Sequence, residues 1–359
     1  MSARPPAKTI FLHIGTQKTG TTTLQALGTR NRAALAAQGV LYPVAPGRQN
    51  HVGLTFYAQN GMGNRDLSRA EGINTQEDMQ AYLDGLPAAL HDEIAASGCH
   101  TVWLSNEHLS SRVRQPAQIA RVAALLKPLA EQIRLVVYLR HQPEYYLSTY
   151  AMEVKAGGHK DIQPPVNGRD YYYNYERMLD GWARTFGDAA IMVRVFERAA
   201  LKNGDVVADF FDVMGFVPGP GIDIPPALNT SLDAKVLQFL RLFRQHIPRY
   251  VDDAANPEHG DIVRALEGIS NGPRFSIPAE TLQSIGDAFA PSNANVARRY
   301  LGRDDGVLFS PVTYSTETAS APLSVDQAVE IAAHLWRFKQ HQIAELKGRL
   351  KERAAPARV

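Results

Sequence analysis

Short apolar runs separated by longer stretches of helical spacing set the framework of this chain. Strands are predicted at residues 9–14, 101–104, 135–139 and 190–195, each of strand length and rich in β-branched or aromatic residues. Residues 24–38, 79–96, 116–131 and 171–186 carry apolar positions at helical intervals. Strands that alternate with helices predict an α/β fold, a central parallel sheet flanked by helices on both faces. Pro143 suits the first turn of a further helix through residues 145–154, which Gly157 and Gly158 would stop.

The rest of the chain is less regular. Residues 41–73 are rich in Gly, Asn, Arg and Pro with little periodicity, which predicts a long loop or cover. Gly and Pro cluster at residues 218–226, a helix is predicted at 233–243, and 252–278 reads as mostly irregular. This half is expected as an extension packed on the same sheet, with a separate lobe as the alternative. Near the C-terminus, Val325, Val329, Ala332, Trp336, Lys339, Ile343, Leu346 and Leu350 recur at alternating steps of four and three. That spacing suits a long helix packed on its own domain, and also a helix through which two copies form a homodimer. The basic side chains at its end read as a solvated face rather than a membrane anchor. The expected organisation is an α/β domain over residues 8–310, a C-terminal helix over 322–353 and a disordered N-terminus over 1–7.

Bulk properties narrow the function. A chain of 359 residues that is 45% hydrophobic can bury a sizeable core. A net charge of +2 gives no reason to expect nucleic acid as a partner, so positive charge has to be concentrated locally in a site. Cys99 is the single cysteine, which excludes an internal disulfide and a multi-cysteine zinc site. No leader-type apolar region precedes the first strand and no run of 18 apolar residues occurs, so a soluble, cytoplasmic protein without an integral membrane segment is expected.

The most informative stretch follows the first strand: Gly15, Thr16, Gln17, Lys18, Thr19, Gly20, Thr21 and Thr22. A strand that feeds a glycine-bounded, hydroxyl-rich loop and then a helix aims backbone N–H groups at an anion. The spacing approaches the phosphate-loop pattern G-x-x-x-x-G-K-[ST], but Thr21 stands where that pattern has lysine and Lys18 lies inside the loop. Ordinary ATP or GTP chemistry becomes less fitting, and another phosphorylated donor more so. A plain strand-to-helix turn is the bland alternative, against which the threonines and the lysine count.

These residues resemble the sulfotransferases that use 3′-phosphoadenosine 5′-phosphosulfate (PAPS), whose 5′-phosphosulfate loop reads Lys-x-Gly-Thr-Thr, here Lys18 to Thr22. A second motif of that family, an arginine ending a later strand and a serine eight residues on, is matched by Arg140 and Ser148. The resemblance covers about residues 8–200. It implies a P-loop nucleoside triphosphate hydrolase-like fold with a helical C-terminal extension. It also implies PAPS as co-substrate, adenosine 3′,5′-bisphosphate as product and no metal. Gly15 to Thr22 would then hold the 5′-phosphosulfate, and Arg140 and Ser148 the 3′-phosphate. Lys18 would meet the charge that grows on the leaving oxygen. An arginine paired with a surface carboxylate and an exposed helix serine is the structural alternative for the second motif.

The acceptor group is expected to be a hydroxyl, with an amine as the alternative, on a carbohydrate, lipid or small molecule; a hydroxyl needs a base, and Glu107, His51 and His108 compete for that role. Each has a plainer alternative: Glu107 as a carboxylate that positions Lys18 or caps a turn, the histidines as packing or hydrogen-bonding residues. Tyr171, Tyr172, Tyr173 and Tyr175 suit either sugar stacking or packing between a helix and the sheet. The late Arg-Lys-Gly donor clamp of cytosolic family members is missing; Asn229-Thr230-Ser231 and the region from Ser292 and Asn293 to Arg298 and Arg299 are substitutes to consider. A P-loop small-molecule kinase and a non-catalytic nucleotide-binding scaffold are the competing functions.

Overall fold

The computed structural model describes residues 6–63, 65–163, 167–224, 231–251, 254–256, 262–314 and 320–354. Most of the expected N-terminal tail, and Asn229 and Thr230 of the first substitute clamp, lie outside the described residues. In chain order the elements are β1 (Ala7–Gly15), α1 (Thr21–Arg30), α2 (Arg32–Ala36), β2 (Val40–Leu41), α3 (Gly53–Gln59), α4 (Arg65–Ala70) and α5 (Gln76–Ser97). Then come β3 (Thr101–Ser105), α6 (His108–Arg112), α7 (Pro116–Leu126), β4 (Ala130–Leu139), α8 (Gln142–Lys155), α9 (Tyr175–Phe186), β5 (Ile191–Val195) and α10 (Val206–Met214). The last are α11 (Ala234–His246), the short strands β6 (Tyr250–Val251) and β7 (Ala254–Ala255), α12 (Ile262–Glu267), α13 (Ala279–Leu301) and α14 (Val325–Ala354).

The expected α/β class is what the structure has. Five strands form one parallel sheet in the order β2-β3-β1-β4-β5. β1 is central, with β3 on one side and β4 on the other, so the strand order reverses at β1. In open α/β sheets ligands bind at the carboxyl ends of the strands at such a reversal. Both faces of the sheet are covered, which explains the nearly unbroken apolar run of β1. Phe11, Trp103, Val136 and Tyr138 pack with Leu24 and Leu27 of α1 and with Val207, Phe210 and Phe211 of α10. Alternate residues, among them Ile10, Leu12 and Ile14, point to the opposite face and are also fully buried.

Several boundaries differ from the sequence expectations for local reasons. The helix expected over 24–38 is two helices, broken at Asn31, whose Nδ2 donates to Leu27 O and to Asp223 O. The helix expected over 116–131 stops at Leu126, because Pro128 lies in a short 3-10 turn and β4 already starts at Ala130. The 41–73 segment is not a bare loop: it contains α3 and α4, and Phe56 of α3 is buried with Val52, Met79 and Leu83. Helices α10 and α13 were not among the elements predicted.

The described residues gather in two compact units. One lies within Met1–Gln142, Pro165–Leu228 and Ile285–Val312, and the other within Pro143–Pro164, Asn229–Ser284 and Thr313–Val359. The first contains the parallel sheet. In the second, Val236, Leu237 and Leu240 of α11 pack with Ile262 and Leu266 of α12, Ile331 of α14, and Tyr150 and Val154 of α8. One side of α14 is therefore buried through Ile331. The four-three stripe lies on another side, with Val329, Trp336 and Leu350 exposed by 62%, 67% and 65%. Among the described residues no helix is long and apolar enough to cross a membrane.

Buried Asp209 ties α10 to β4 and β5. It accepts from Arg194 Nε (2.9 Å) and Arg194 Nη2, from the Tyr138 hydroxyl (2.8 Å) and from the Lys202 amide (2.9 Å). Burial acts to raise its carboxyl, but these donors outweigh burial and hold it below the ordinary aspartate value. Asp209→Asn is expected to cost about 2–3 kcal/mol at pH 7, less than for a fully dry pair because Arg194 keeps some exposure. A depressed carboxylate stabilises above its unfolded pKa and stops doing so as the pH falls. The gap between wild type and variant in urea denaturation should therefore close below about pH 4.

Candidate functional site

The carboxyl ends of β1, β3 and β4 are brought side by side by parallel pairing in register, with Leu12 opposite both Leu104 and Leu135. Three segments distant in sequence thereby meet: the loop after β1, residues 105–108 after β3, and Arg140 after β4. The loop turns sharply, with Gly15, Lys18 and Gly20 at φ of 109°, 61° and 80°. At Gly15 the need for glycine is also spatial, because a Cβ there would meet Ser110 Oγ at 2.9 Å and Glu107 Cα at 3.1 Å. The absence of a side chain lets the loop lie directly against the Glu107 segment.

The loop hydroxyls divide into two sets. Thr16 Oγ1 donates to Tyr138 O (3.0 Å) and Thr19 Oγ1 donates to Thr16 O (2.6 Å), so these two threonines build the loop. Thr21, Thr22 and Thr23 open α1, and their hydroxyls have no hydrogen-bond partner among the described residues. No side chain caps that helix and no acidic residue sits in its first turn. An uncapped helix start carries unsatisfied N–H donors and partial positive charge. Arg140, half-buried, donates from Nη1 to Lys18 O (3.2 Å), and its own carbonyl accepts from Tyr175 Oη (2.5 Å). The guanidinium is thus planted beside the loop. Ser148 lies half-buried on α8, in the second unit.

The Glu107 segment is held from several sides. The Asn106 amide donates to His13 O (2.9 Å), its Nδ2 to His51 O and Thr55 Oγ1, and its Oδ1 accepts from the His108 amide. Glu107 Oε2 accepts from Gln25 Nε2 (2.6 Å) and Asn50 Nδ2 (3.0 Å). Glu107 Oε1 makes no hydrogen bond among the described residues; His108 Nε2 lies 3.9 Å away. One carboxylate oxygen is therefore fixed, and the other accepts no hydrogen bond among the described residues.

His108 Nδ1 receives Gln17 Nε2 at 3.3 Å and Arg112 Nε at 3.4 Å. With two donors on Nδ1, the neutral ring carries its proton on Nε2, on the Glu107 side. Burial lowers its pKa, the Glu107 charge acts against that, and Arg112 adds to it. Gln17 is itself held by the Tyr172 hydroxyl, which donates to Oε1 (2.6 Å), and its Nε2 also donates to Ser111 Oγ (3.3 Å). Tyr172, offered by the sequence as a sugar-stacking residue, thus fixes a loop side chain through its hydroxyl.

His51 is fully buried. Its Nδ1 accepts from the Ser105 amide (2.9 Å) and its Nε2 donates to Pro43 O (2.9 Å). Both ring nitrogens are spent on main chain, so the ring has no free lone pair for a substrate proton. Its place is structural: it ties the segment before α3 to the end of β3. The sequence offers no sign of Gln25 and Asn50 as holders of Glu107, since they lie 82 and 57 residues away. Among the described residues no group of three His, Cys, Asp or Glu could hold a metal ion.

No family model matches the chain. A protein of Archaeoglobus fulgidus described as uncharacterized is 29% identical over 101 residues, which are 28% of this chain and 26% of that protein. The match thus spans about a quarter of the relative's length. Among solved structures, a sulfotransferase from Alicyclobacillus acidocaldarius is 17% identical, with 62% of this chain and 87% of that one covered at a TM-score of 0.35. The sulfotransferase domain of the Synechococcus PCC 7002 olefin synthase is 12% identical, with 81% and 97% covered, also at 0.35. Superpositions this loose transfer no residue's role.

Burial holds both His13 and His51 neutral, each with a pKa lowered to about 3. An unfolded histidine protonates near 6.5, so below that pH the unfolded state takes up protons that the native state refuses. The stability owed to this neutrality is present above pH 6.5 and is lost as the pH falls towards 3. Urea unfolding is expected to lose about 2–3 kcal/mol between pH 7.5 and 5.5, and His13→Leu should shrink that loss by about half. A flat profile would contradict the buried, neutral state of the two rings.

Proposed function

We propose that this protein is a sulfotransferase that moves the sulfuryl group of PAPS to a hydroxyl of a carbohydrate, lipid or small-molecule acceptor. What carries the reading is the convergence, within one unit, of an uncapped hydroxyl-rich helix start, an arginine planted beside it and a carboxylate with one free oxygen. The first two fit a donor with phosphate groups and the third fits a hydroxyl acceptor. When bound, PAPS supplies an activated sulfuryl group on a phosphate leaving group.

The backbone of Gly15 to Gly20 and the amides and hydroxyls of Thr21 and Thr22 hold the 5′-phosphate end, and Arg140 holds the 3′-phosphate through its planar fork. Glu107 Oε1 takes the acceptor's hydroxyl proton as the acceptor oxygen bonds to sulfur and the bond from sulfur to the phosphate oxygen breaks. Lys18 meets the negative charge that grows on that oxygen. Gln25 and Asn50 keep Glu107 Oε2 occupied, so that Oε1 is the oxygen presented. His108, with Nδ1 engaged, orients the site from beside Glu107.

Calorimetry should find adenosine 3′,5′-bisphosphate bound far more tightly than ATP with magnesium; the reverse order would make a kinase the better reading. Arg140→Ala is expected to weaken bisphosphate binding by about 2 kcal/mol, the worth of a charge-assisted contact. Lys18→Ala should lower kcat by about 10²–10³ with a smaller effect on that affinity, since its main contact forms in the transition state. Glu107→Gln should lower kcat by about 10²–10⁴ and leave bisphosphate affinity unchanged. Equal losses of binding in the lysine and arginine variants would contradict this division of roles.

A further inference from the structure

Arg112 and Arg114 follow Glu107 and His108 closely in the chain, and Arg177 meets Arg114 at the ring of Tyr171. Arg112, at the end of α6, touches His108 through Nε (3.4 Å). Arg114 donates from Nε to Ser111 O (2.6 Å) and sets its guanidinium 5.1 Å from the centre of the Tyr171 ring. Arg177, in the first turn of α9, lies 5.8 Å from the same ring and donates from Nη1 to Arg169 O (3.0 Å). Two guanidiniums at one ring are at most about 11 Å apart. Among the described residues none of Arg112, Arg114, Arg169 and Arg177 forms an ion pair with a carboxylate. The nearby acids are otherwise engaged: Asp170 Oδ1 accepts the Tyr172 amide, and Glu176 Oε1 accepts Asn295 Nδ2.

The cluster is wired to the site, since Tyr172, next to Tyr171, holds Gln17, which in turn contacts His108. Guanidiniums held close together with no carboxylate in direct contact repel one another, and an anion docked between them relieves that repulsion. Arginine forks also match oxyanions in shape. We propose that the acceptor is itself anionic, and that Arg114 and Arg177 dock a carboxylate or sulfate ester beside the hydroxyl to be modified. This rests on the sulfuryl-transfer reading and adds the charge class of the acceptor to it.

The test measures binding to the full chain saturated with adenosine 3′,5′-bisphosphate. The probes are tetragalacturonate, its fully methyl-esterified form, and a galactotetraose carrying 6-sulfates. At least one acidic probe should bind tenfold or more tightly than the neutral ester, and the probe with the larger preference identifies carboxylate or sulfate as the docked group. Arg114→Ala/Arg177→Ala should abolish the preference while keeping melting temperature and bisphosphate affinity. The control pair Arg65→Ala/Arg69→Ala on α4 should keep the preference. Equal binding of acidic and neutral probes, no binding of any of them, or an undiminished preference in the first variant overturns the proposal. Failure of the wild type to bind the bisphosphate would instead overturn the donor reading, whatever the acidic probes do.

A different observation carries a second inference, at the exposed stripe of α14. Trp336 is 67% exposed, while Trp103 and Trp182 are fully buried. If a second copy lies antiparallel, the stripe closes on itself in one register: Val325 opposite Leu350, Val329 opposite Leu346, Ala332 opposite Ile343 and Trp336 opposite Lys339. Small faces large in the third layer, and the lysine stem and ammonium lie on the indole in the fourth. The same register sets Asp326 beside Lys347 of the other copy, twice by symmetry. A parallel pair would stack Lys339 on Lys339 inside the seam. Charge complementarity therefore selects the antiparallel form, and we infer that two copies of this chain pair in that way.

Sedimentation at tens of micromolar should show a dimer, and Trp336→Ala/Ile343→Asp, both at exposed positions, should give a folded monomer. Under oxidation a mixture of V325C and L350C proteins should form a disulfide-linked pair that V325C alone does not form; Cys99 is buried and should not interfere. A wild-type monomer at 100 μM, or self-linking of V325C, overturns the inference.

Discussion

Parallel pairing of β1 between β3 and β4 is the constraint on which the rest of this structure depends. Parallel strands place their carboxyl ends on the same edge of the sheet. The glycine loop, the Glu107 segment and Arg140 therefore open onto that edge although about 90 to 120 residues of chain separate them. Register matters as much as direction. The Asn106 amide reaches His13 O only because β3 ends level with β1, and that bond brings Glu107 against Gly15. A sheet buried on both faces resists slippage, since a one-residue shift would turn each strand's side chains to the wrong side.

The polar residues around the edge divide sharply between construction and chemistry. His51, Thr16, Thr19 and Asn106 spend their hydrogen-bonding capacity on main chain and fix the shape of the site. Glu107 Oε1 and the hydroxyls that open α1 are left uncommitted. Buried polar groups that find partners rigidify a site, and groups without them are what a substrate can use. Gln17 stands between the two sets, with its amide held by Tyr172 while its nitrogen side touches His108 and Ser111. It links the loop after β1 to the segment that carries His108 and Ser111.

Much of the fold was legible because it rests on local rules. The four longer strands of the sheet, α5, α8, α9, α11 and the C-terminal helix all show in periodicity, caps or breakers. The glycine loop shows in the residues that strained turns demand. What escaped were short elements stabilised from a distance: β2, two residues long and paired with β3, and α3, whose sequence Gly-Leu-Thr-Phe-Tyr-Ala-Gln gains its helical form from Phe56 buried under α5. The break at Asn31 was equally hidden, because the bond that stabilises it goes to Asp223.

By itself the sequence determined the α/β class, the loop and its lysine, and the list of side chains able to act as a base. The surroundings that distinguish those side chains are set by the tertiary structure. Histidine is the obvious proton acceptor by its ordinary pKa, yet His51 is sealed and doubly bonded while Glu107 keeps one oxygen open. The same holds for Tyr171 and Tyr172: composition marks them as aromatic, and only folding brings Arg114 and Arg177 to one ring and Gln17 to the other's hydroxyl. The physical reason is common to all of these. Propensity and periodicity act over a few residues, whereas a pKa, a free lone pair or an unneutralised charge depends on what the rest of the chain places within a few ångströms.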